Sequence, residues 1–240
     1  MKISKMKHTL YSILLWPIWY AYLIVILPIF LIFIIFVRKE YFHYFLRPMS
    51  YFFCLFGGQR LKVYGEIPDP ESGPYLYLMN HESLFDHFAI GRYIKHYVTA
   101  IAKYEQFKYP LWGHVARYYG IEPIDRSNTK KAIKSLKKVE MEIIKNKLSF
   151  LIAPEGTRSK DGNLGEFKKG AFHLAKNTGA SIVPVIINGA YEAKNIKDWR
   201  LTPGTIDVYF SDSISENIYK NMSVEELRDY VRGIIKELVD

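Results

Sequence analysis

The sequence predicts an α/β domain, a mixed and largely parallel sheet flanked by helices, preceded by an N-terminal two-helix membrane-anchoring segment. Three observations carry this expectation. Residues 10–37 contain no charged side chain. Beyond residue 58, short apolar runs alternate with stretches of helical periodicity, the pattern of strands joined through crossover helices. Two of those runs end in compact polar segments, 80–86 and 154–159, and sheets of this kind hold their sites beyond strand ends. The expected division is 1–58 for the anchor and 59–240 for the domain.

As a helix, residues 10–37 would reach about 42 Å, more than the ~30 Å that a hydrocarbon core requires. The run is too long for a cleaved signal peptide and no small-residue cleavage site ends it. Lys2, Lys5 and Lys7 precede it while Arg38, Lys39 and Arg47 follow, so charge favours neither side. Pro17 and Pro28 offer kinks. A second aromatic stretch, 41–56, ends at Gly57-Gly58 and reads as an interfacial helix. Of the two topologies open, a hairpin in one leaflet with both ends cytoplasmic is favoured over a single span. The expected location is the cytoplasmic face of the cell membrane, and removal of 1–58 is expected to leave a more soluble domain.

Strands are expected at 61–64, 75–79, 98–102, 121–124, 149–153, 182–187 and 206–210. Residues 83–93 are compatible with a helix. Residues 129–147 form an amphipathic helix with Ala132, Leu136, Val139 and Ile143 on one side and many lysines elsewhere. Ser223 with Glu226 is a capping-box pattern opening a packing helix to about residue 238. The formal net charge is +9. The lysine-rich face is either simply solvated, or meets an anionic phospholipid membrane surface, each basic residue contributing about 1 kcal/mol, or an acidic carrier protein. No nucleic acid-binding motif is present. Cys54 is the single cysteine, which excludes a disulfide framework and paired thiolate metal ligands. An apolar setting would raise its thiol pKa, so it is a poor nucleophile. Neither a Gly-x-Ser-x-Gly elbow nor a Walker loop occurs.

Asn80-His81-Glu82-Ser83-Leu84-Phe85-Asp86 follows an expected strand and places a histidine five residues before an aspartate. None of the other six histidines has such a partner. A histidine near its ordinary pKa accepts a proton at neutral pH, and a carboxylate can fix its tautomer. His81 is therefore a candidate general base and Asp86 its orienting partner. On one continuous helix the two would point about 140° apart, so His81 must lie in the turn before a helix that carries Asp86. The bland alternative is a helix-capping Asn80 beside an incidental histidine. A zinc protease is excluded, since position 85 is Phe. Pro154-Glu155-Gly156-Thr157-Arg158 ends a second expected strand and reads as an anion pocket. Gly156 permits close approach, Thr157 supplies a hydroxyl and Arg158 can grip a phosphate through two parallel hydrogen bonds. Alone it is also an ordinary turn with a solvated arginine.

Together these segments make the chain, over about residues 75–189, resemble the glycerolipid acyltransferases, the family that includes 1-acylglycerol-3-phosphate acyltransferase. Residues 80–86 look like its His-x4-Asp motif and Glu155 to Arg158 like its Glu-Gly-Thr-Arg motif. Lys103-Tyr104-Glu105 with 120–126 is similar to the glycerol-phosphate block, and Ile182-Val183-Pro184-Val185 to the fourth block. The chain departs from the family at Glu122-Pro123, where apolar residues are usual. The resemblance implies transfer of a fatty acyl group from acyl-coenzyme A or acyl carrier protein to the free hydroxyl of lysophosphatidic acid, with no bound cofactor. It adds Lys103 and Arg126 to the substrate-binding residues Glu155, Gly156, Thr157 and Arg158, with Glu155 positioning Arg158. Glycerol-3-phosphate or another lysophospholipid remains an alternative acceptor. A non-catalytic membrane-binding module is the alternative class.

Overall fold

The computed structural model describes residues 2–239. Two helices, α1 (Lys2–Phe36) and α2 (Phe42–Phe56), open the chain. Seven strands follow: β1 (Gln59–Tyr64), β2 (Tyr75–Met79), β3 (Val98–Lys103), β4 (Glu122–Ile124), β5 (Ser149–Ile152), β6 (Ser181–Asn188) and β7 (Gly204–Phe210). The helices among and after them are α3 (Asp86–Gly91), α4 (Pro110–Tyr118), α5 (Thr129–Asn146), α6 (Gly170–Thr178), α7 (Ala190–Ala193), α8 (Glu216–Tyr219) and α9 (Val224–Val239). Every expected strand forms, with ends displaced by at most two residues. The expected cap at Ser223 is present: Ser223 N donates to Glu226 Oε2 at 2.6 Å and Glu226 N to Ser223 Oγ at 3.1 Å.

The strands make one mixed sheet in the order β1-β7-β6-β2-β5-β3-β4. Its pairs are parallel except β6 with β7, which is antiparallel. Successive side chains of a strand face opposite sides, and the fully buried β2 shows the result. Tyr75, Tyr77 and Met79 enter one core with Phe85, Ile90, Val183 and Phe210. Leu76 and Leu78 enter the other, beneath Val139 and Ile143 of α5, Phe172 of α6 and Leu227 and Val231 of α9. The parallel pairing puts the carboxyl ends of β2, β5, β3 and β4 along one edge, which is why residues far apart in sequence can share a crevice there.

The N-terminal helices are built into the first core rather than hung from it. Phe53 and Cys54 of α2 are buried members of that core, and Leu15, Trp16, Trp19 and Leu23 of α1 pack against it. Ser12 Oγ accepts from Leu201 N at 2.9 Å, and Trp16 Nε1 donates to Trp199 O at 3.1 Å. At its other end α1 contributes Phe30 and Ile34 to a third cluster with Phe42 of α2 and Val115 of α4. Both ends of α1 are thereby tied to the same domain, while Ile24, Val25, Ile32 and Ile35 remain exposed on its outer face. Among the described residues one helix, over 6–36, is long and apolar enough to cross a membrane.

Because α1 and α2 pack into the first core, loss of 1–58 tests how far the domain depends on them. Truncation to 59–240 strips the cover from Phe85, Ile90 and Phe88, and the fragment should aggregate or fail to fold, as size-exclusion chromatography and circular dichroism would report. In the full chain Phe53→Ala should cost about 3–5 kcal/mol of stability, read as a fall in melting temperature.

Candidate active site

β2 stops at Met79 because the next residue replaces backbone pairing with side-chain pairing. Asn80 Nδ2 donates to Ile187 O at 2.9 Å while Asn80 Oδ1 accepts from Ile187 N at 2.8 Å. Asn80 therefore stitches the strand end to β6 and does not cap a helix. The chain then turns, and α3 begins at Asp86 rather than at residue 83. The Asp86 carboxylate causes this shortening. Its Oδ2 accepts from Glu82 N at 2.8 Å and Ser83 N at 2.9 Å, holding both residues in the turn. The same oxygen accepts from His81 Nδ1 at 2.7 Å. Asp86 is fully buried, and 18% of the His81 side chain is exposed. Because a carboxylate oxygen faces Nδ1, the proton sits on Nδ1 and Nε2 is left with a free lone pair. His87 stands edge-on to His81, with ring centroids 5.3 Å apart.

The loop after β5 grips the His81 backbone from both sides. Glu155 Oε1 accepts from His81 N at 2.8 Å, and Ser159 N donates to His81 O at 2.7 Å. Glu155 Oε2 accepts from Gly165 N at 2.8 Å, which closes the loop on itself. The expectation that Glu155 positions Arg158 is corrected here: both its oxygens are engaged by backbone N–H groups. Gly156 has φ +76, a left-handed conformation that a side chain would strain. The Arg126 guanidinium lies 3.9 Å from where a Cβ on Gly156 would stand. Thr157 and Arg158, next on the same loop, are exposed. Lys103 ends β3 and pairs with Glu105 at 3.5 Å on the surface. Glu122 pairs instead with Lys138, at 2.6 Å, on the far side of the edge strand.

His81 and Arg158 both line a cavity of about 930 Å³. Its walls are mostly apolar, among them Leu27 and Phe30 of α1, Leu46 of α2, Phe88 of α3, Ala100 of β3 and Val115 of α4. The site thus joins a histidine with a free nitrogen, a cationic rim and a deep apolar chamber. Burial, reinforced by the nearby Asp86 charge, pushes the Cys54 thiol far above its ordinary range and leaves it inert.

Comparison with known proteins gives the family and the fold. The acyltransferase family model matches residues 60–188, just over half of the chain. The chain belongs to the acyltransferase family. It is 38% identical over 165 residues to a 1-acyl-sn-glycerol-3-phosphate acyltransferase of Cocos nucifera, covering 69% of this chain and 53% of that protein. It is 34% identical to the Limnanthes douglasii enzyme of the same name, covering 75% and 65% respectively. The Saccharomyces cerevisiae enzyme of that name is 35% identical, covering 75% of this chain and 61% of that one. The chain therefore spans between roughly half and two thirds of the length of these relatives. The crystal structure of the 1-acyl-sn-glycerophosphate acyltransferase PlsC from Thermotoga maritima superimposes with a TM-score of 0.82 at 27% identity, covering 97% of this chain and 96% of that one.

In this member of the family, three contributors were not anticipated from sequence. Ser159 and Gly165 act through their backbones, where residue type carries little signal. Lys194 directly follows α7: Ser83 Oγ donates to its carbonyl at 2.7 Å, and burial followed by the Arg158 charge holds its ammonium below the ordinary lysine range. Glu82 could have been suspected, because a carboxylate directly after His81 has to go somewhere. It is buried, accepting from Asn80 Nδ2 at 3.1 Å and Tyr191 N at 3.2 Å.

Burial, then the Asp86 charge, push the Glu82 carboxyl up from 4.5 to about 7. A carboxyl that binds its proton more tightly folded than unfolded contributes stability below pH 4.5 that is lost as the pH climbs to about 7. The melting temperature of wild type relative to Glu82→Gln should therefore fall across that window, by the equivalent of about 3 kcal/mol at most. A pH-independent difference between the two proteins would exclude this role for Glu82.

Proposed function

We propose that the protein transfers a fatty acyl group from a thioester to the free hydroxyl of 1-acylglycerol-3-phosphate, forming phosphatidic acid. The observation that carries this reading is the 2.7 Å His81 to Asp86 contact at the mouth of the apolar cavity. His81 Nε2 removes the proton of the acceptor hydroxyl as its oxygen attacks the thioester carbonyl. Asp86 fixes the tautomer and stabilises the imidazolium. The imidazolium then returns the proton to the leaving thiolate. Arg158, with Lys194 and Arg126 near the same rim, supplies the positive charge that holds the acceptor phosphate, and the chamber takes the apolar chain. The donor is acyl-coenzyme A or acyl carrier protein.

The names of the relatives support the same acceptor. Residues 1–58 serve in this reading as a membrane seat on the cytoplasmic face, for a domain whose basic surface meets anionic phospholipid. A one-leaflet seat is favoured because both ends of α1 dock on one domain, whereas a spanning helix would carry them to opposite sides.

His81→Ala should lower acyl transfer by about 10²- to 10⁴-fold with the protein still folded, and Asp86→Asn should also be severe. A tenth of wild-type turnover in His81→Ala would sink the proton-transfer role. Arg158→Lys should weaken use of lysophosphatidic acid, since an ammonium lacks the two-point grip, while a matched monoacylglycerol is affected little. An equal loss on both acceptors would make Arg158 structural or donor-binding. Cysteines placed at Lys5 and Lys39 in a Cys54→Ala background should label from the same face of oriented vesicles; labelling from opposite faces would establish a crossing.

A further inference from the structure

The cavity that receives the fatty chain in the function proposed above is not uniformly apolar. All of residues 98–102 line it, and His96 lines it just beyond Val98, at the end of β3 remote from the rim. The strand from Val98 to Ala102 alone spans about 13 Å, so His96, just before it, stands well away from the carboxyl end of the sheet that carries His81, on the stretch of wall where the distal half of a long fatty chain would rest. Its ring is held against the rings of Tyr75 and Tyr77, with centroids 6.1 and 5.9 Å away. Both of its ring nitrogens are buried and neither meets a protein partner. The histidines His43, His81 and His114, by contrast, each direct Nδ1 to a carbonyl or carboxylate oxygen.

A buried nitrogen without a partner is costly, and an all-hydrocarbon ligand leaves it so. Burial, with the charge of His43 next, pushes the His96 imidazole down to about 4, so at neutral pH one nitrogen donates and the other accepts. That pairing suits an alcohol, which both donates and accepts, and offers no charge to a carboxylate. We propose that His96 forms a polar subsite on the floor of the acyl chamber that hydrogen-bonds a hydroxyl borne on the distal half of the fatty chain. The enzyme would then favour hydroxylated acyl groups over plain ones of equal length.

The subsite rests on the acyl-chamber reading, and a binding measurement separates the two. The full chain in detergent is titrated with a fluorescent fatty acid, which is displaced by octadecanoic acid or by hydroxyoctadecanoic acids with the hydroxyl walked along the second half of the chain. At least one hydroxylated isomer should bind wild type about ten-fold more tightly than the plain acid, the worth of one buried hydrogen bond. His96→Leu should abolish that ratio by binding the plain acid as well or better, whereas His96→Gln, which keeps a donor and an acceptor, should retain a preference. Equal ratios in wild type and His96→Leu would overturn the subsite, as would wild type favouring the plain acid at every position or failing to bind any chain. Retained hydroxyl preference in a protein that transfers no acyl group would leave the subsite standing and remove the catalytic reading alone.

Discussion

A single oxygen atom, Asp86 Oδ2, organises the turn on which the site depends. It collects hydrogen bonds from the His81 ring and from the backbone N–H groups of Glu82 and Ser83. In doing so it prevents α3 from starting earlier, and the spacing of five residues ceases to separate the two side chains. The carboxylate is fully buried, so these charge-assisted bonds act without competition from water and are stronger than their surface counterparts. The geometry a helix would forbid is thus imposed by the residue that opens the helix.

Glu155 extends the same logic across the sheet. Its carboxylate ties the turn after β2 to the loop after β5, which also carries Arg158. Histidine and arginine are therefore held by one hydrogen-bonded frame, although 77 positions separate them in sequence. Catalysis by orientation tolerates little looseness, and a frame built from buried carboxylates and backbone N–H groups meets that need better than side-chain contacts between flexible cations. Glycine at 156 belongs to this arrangement, since a side chain there would oppose the left-handed turn beside Arg126.

The N-terminal helices divide their residues between two faces. The inner faces of α1 and α2 complete the core and wall the chamber, while the outer face of α1 stays apolar and exposed. A helix apolar on every side is buried or in lipid; α1 packs protein against one side and leaves Ile24, Val25, Ile32 and Ile35 exposed on the other. The chamber consequently lies between the sheet and the two N-terminal helices, with residues of α1 and α2 on one side and of β3 on the other.

Local pattern determined much of this protein. The strands from β1 to β7, the capping box at Ser223 and the apolar run at the heart of α1 were legible, and the 80–86 and 154–159 segments stood out as candidates, because periodicity, caps and strand-terminal polar clusters are written within a few residues. The strand order, the Asn80 stitch to Ile187, the true partners of Glu155 and the incorporation of α1 into the core were not. Each joins residues separated by dozens of positions, and nothing in a single sequence encodes which distant backbone N–H group a carboxylate will meet. His96 belongs to the second class as well: a histidine before a strand is unremarkable by sequence, and only the packing of α1, α2 and α4 around β3 leaves its ring in an apolar chamber without a partner.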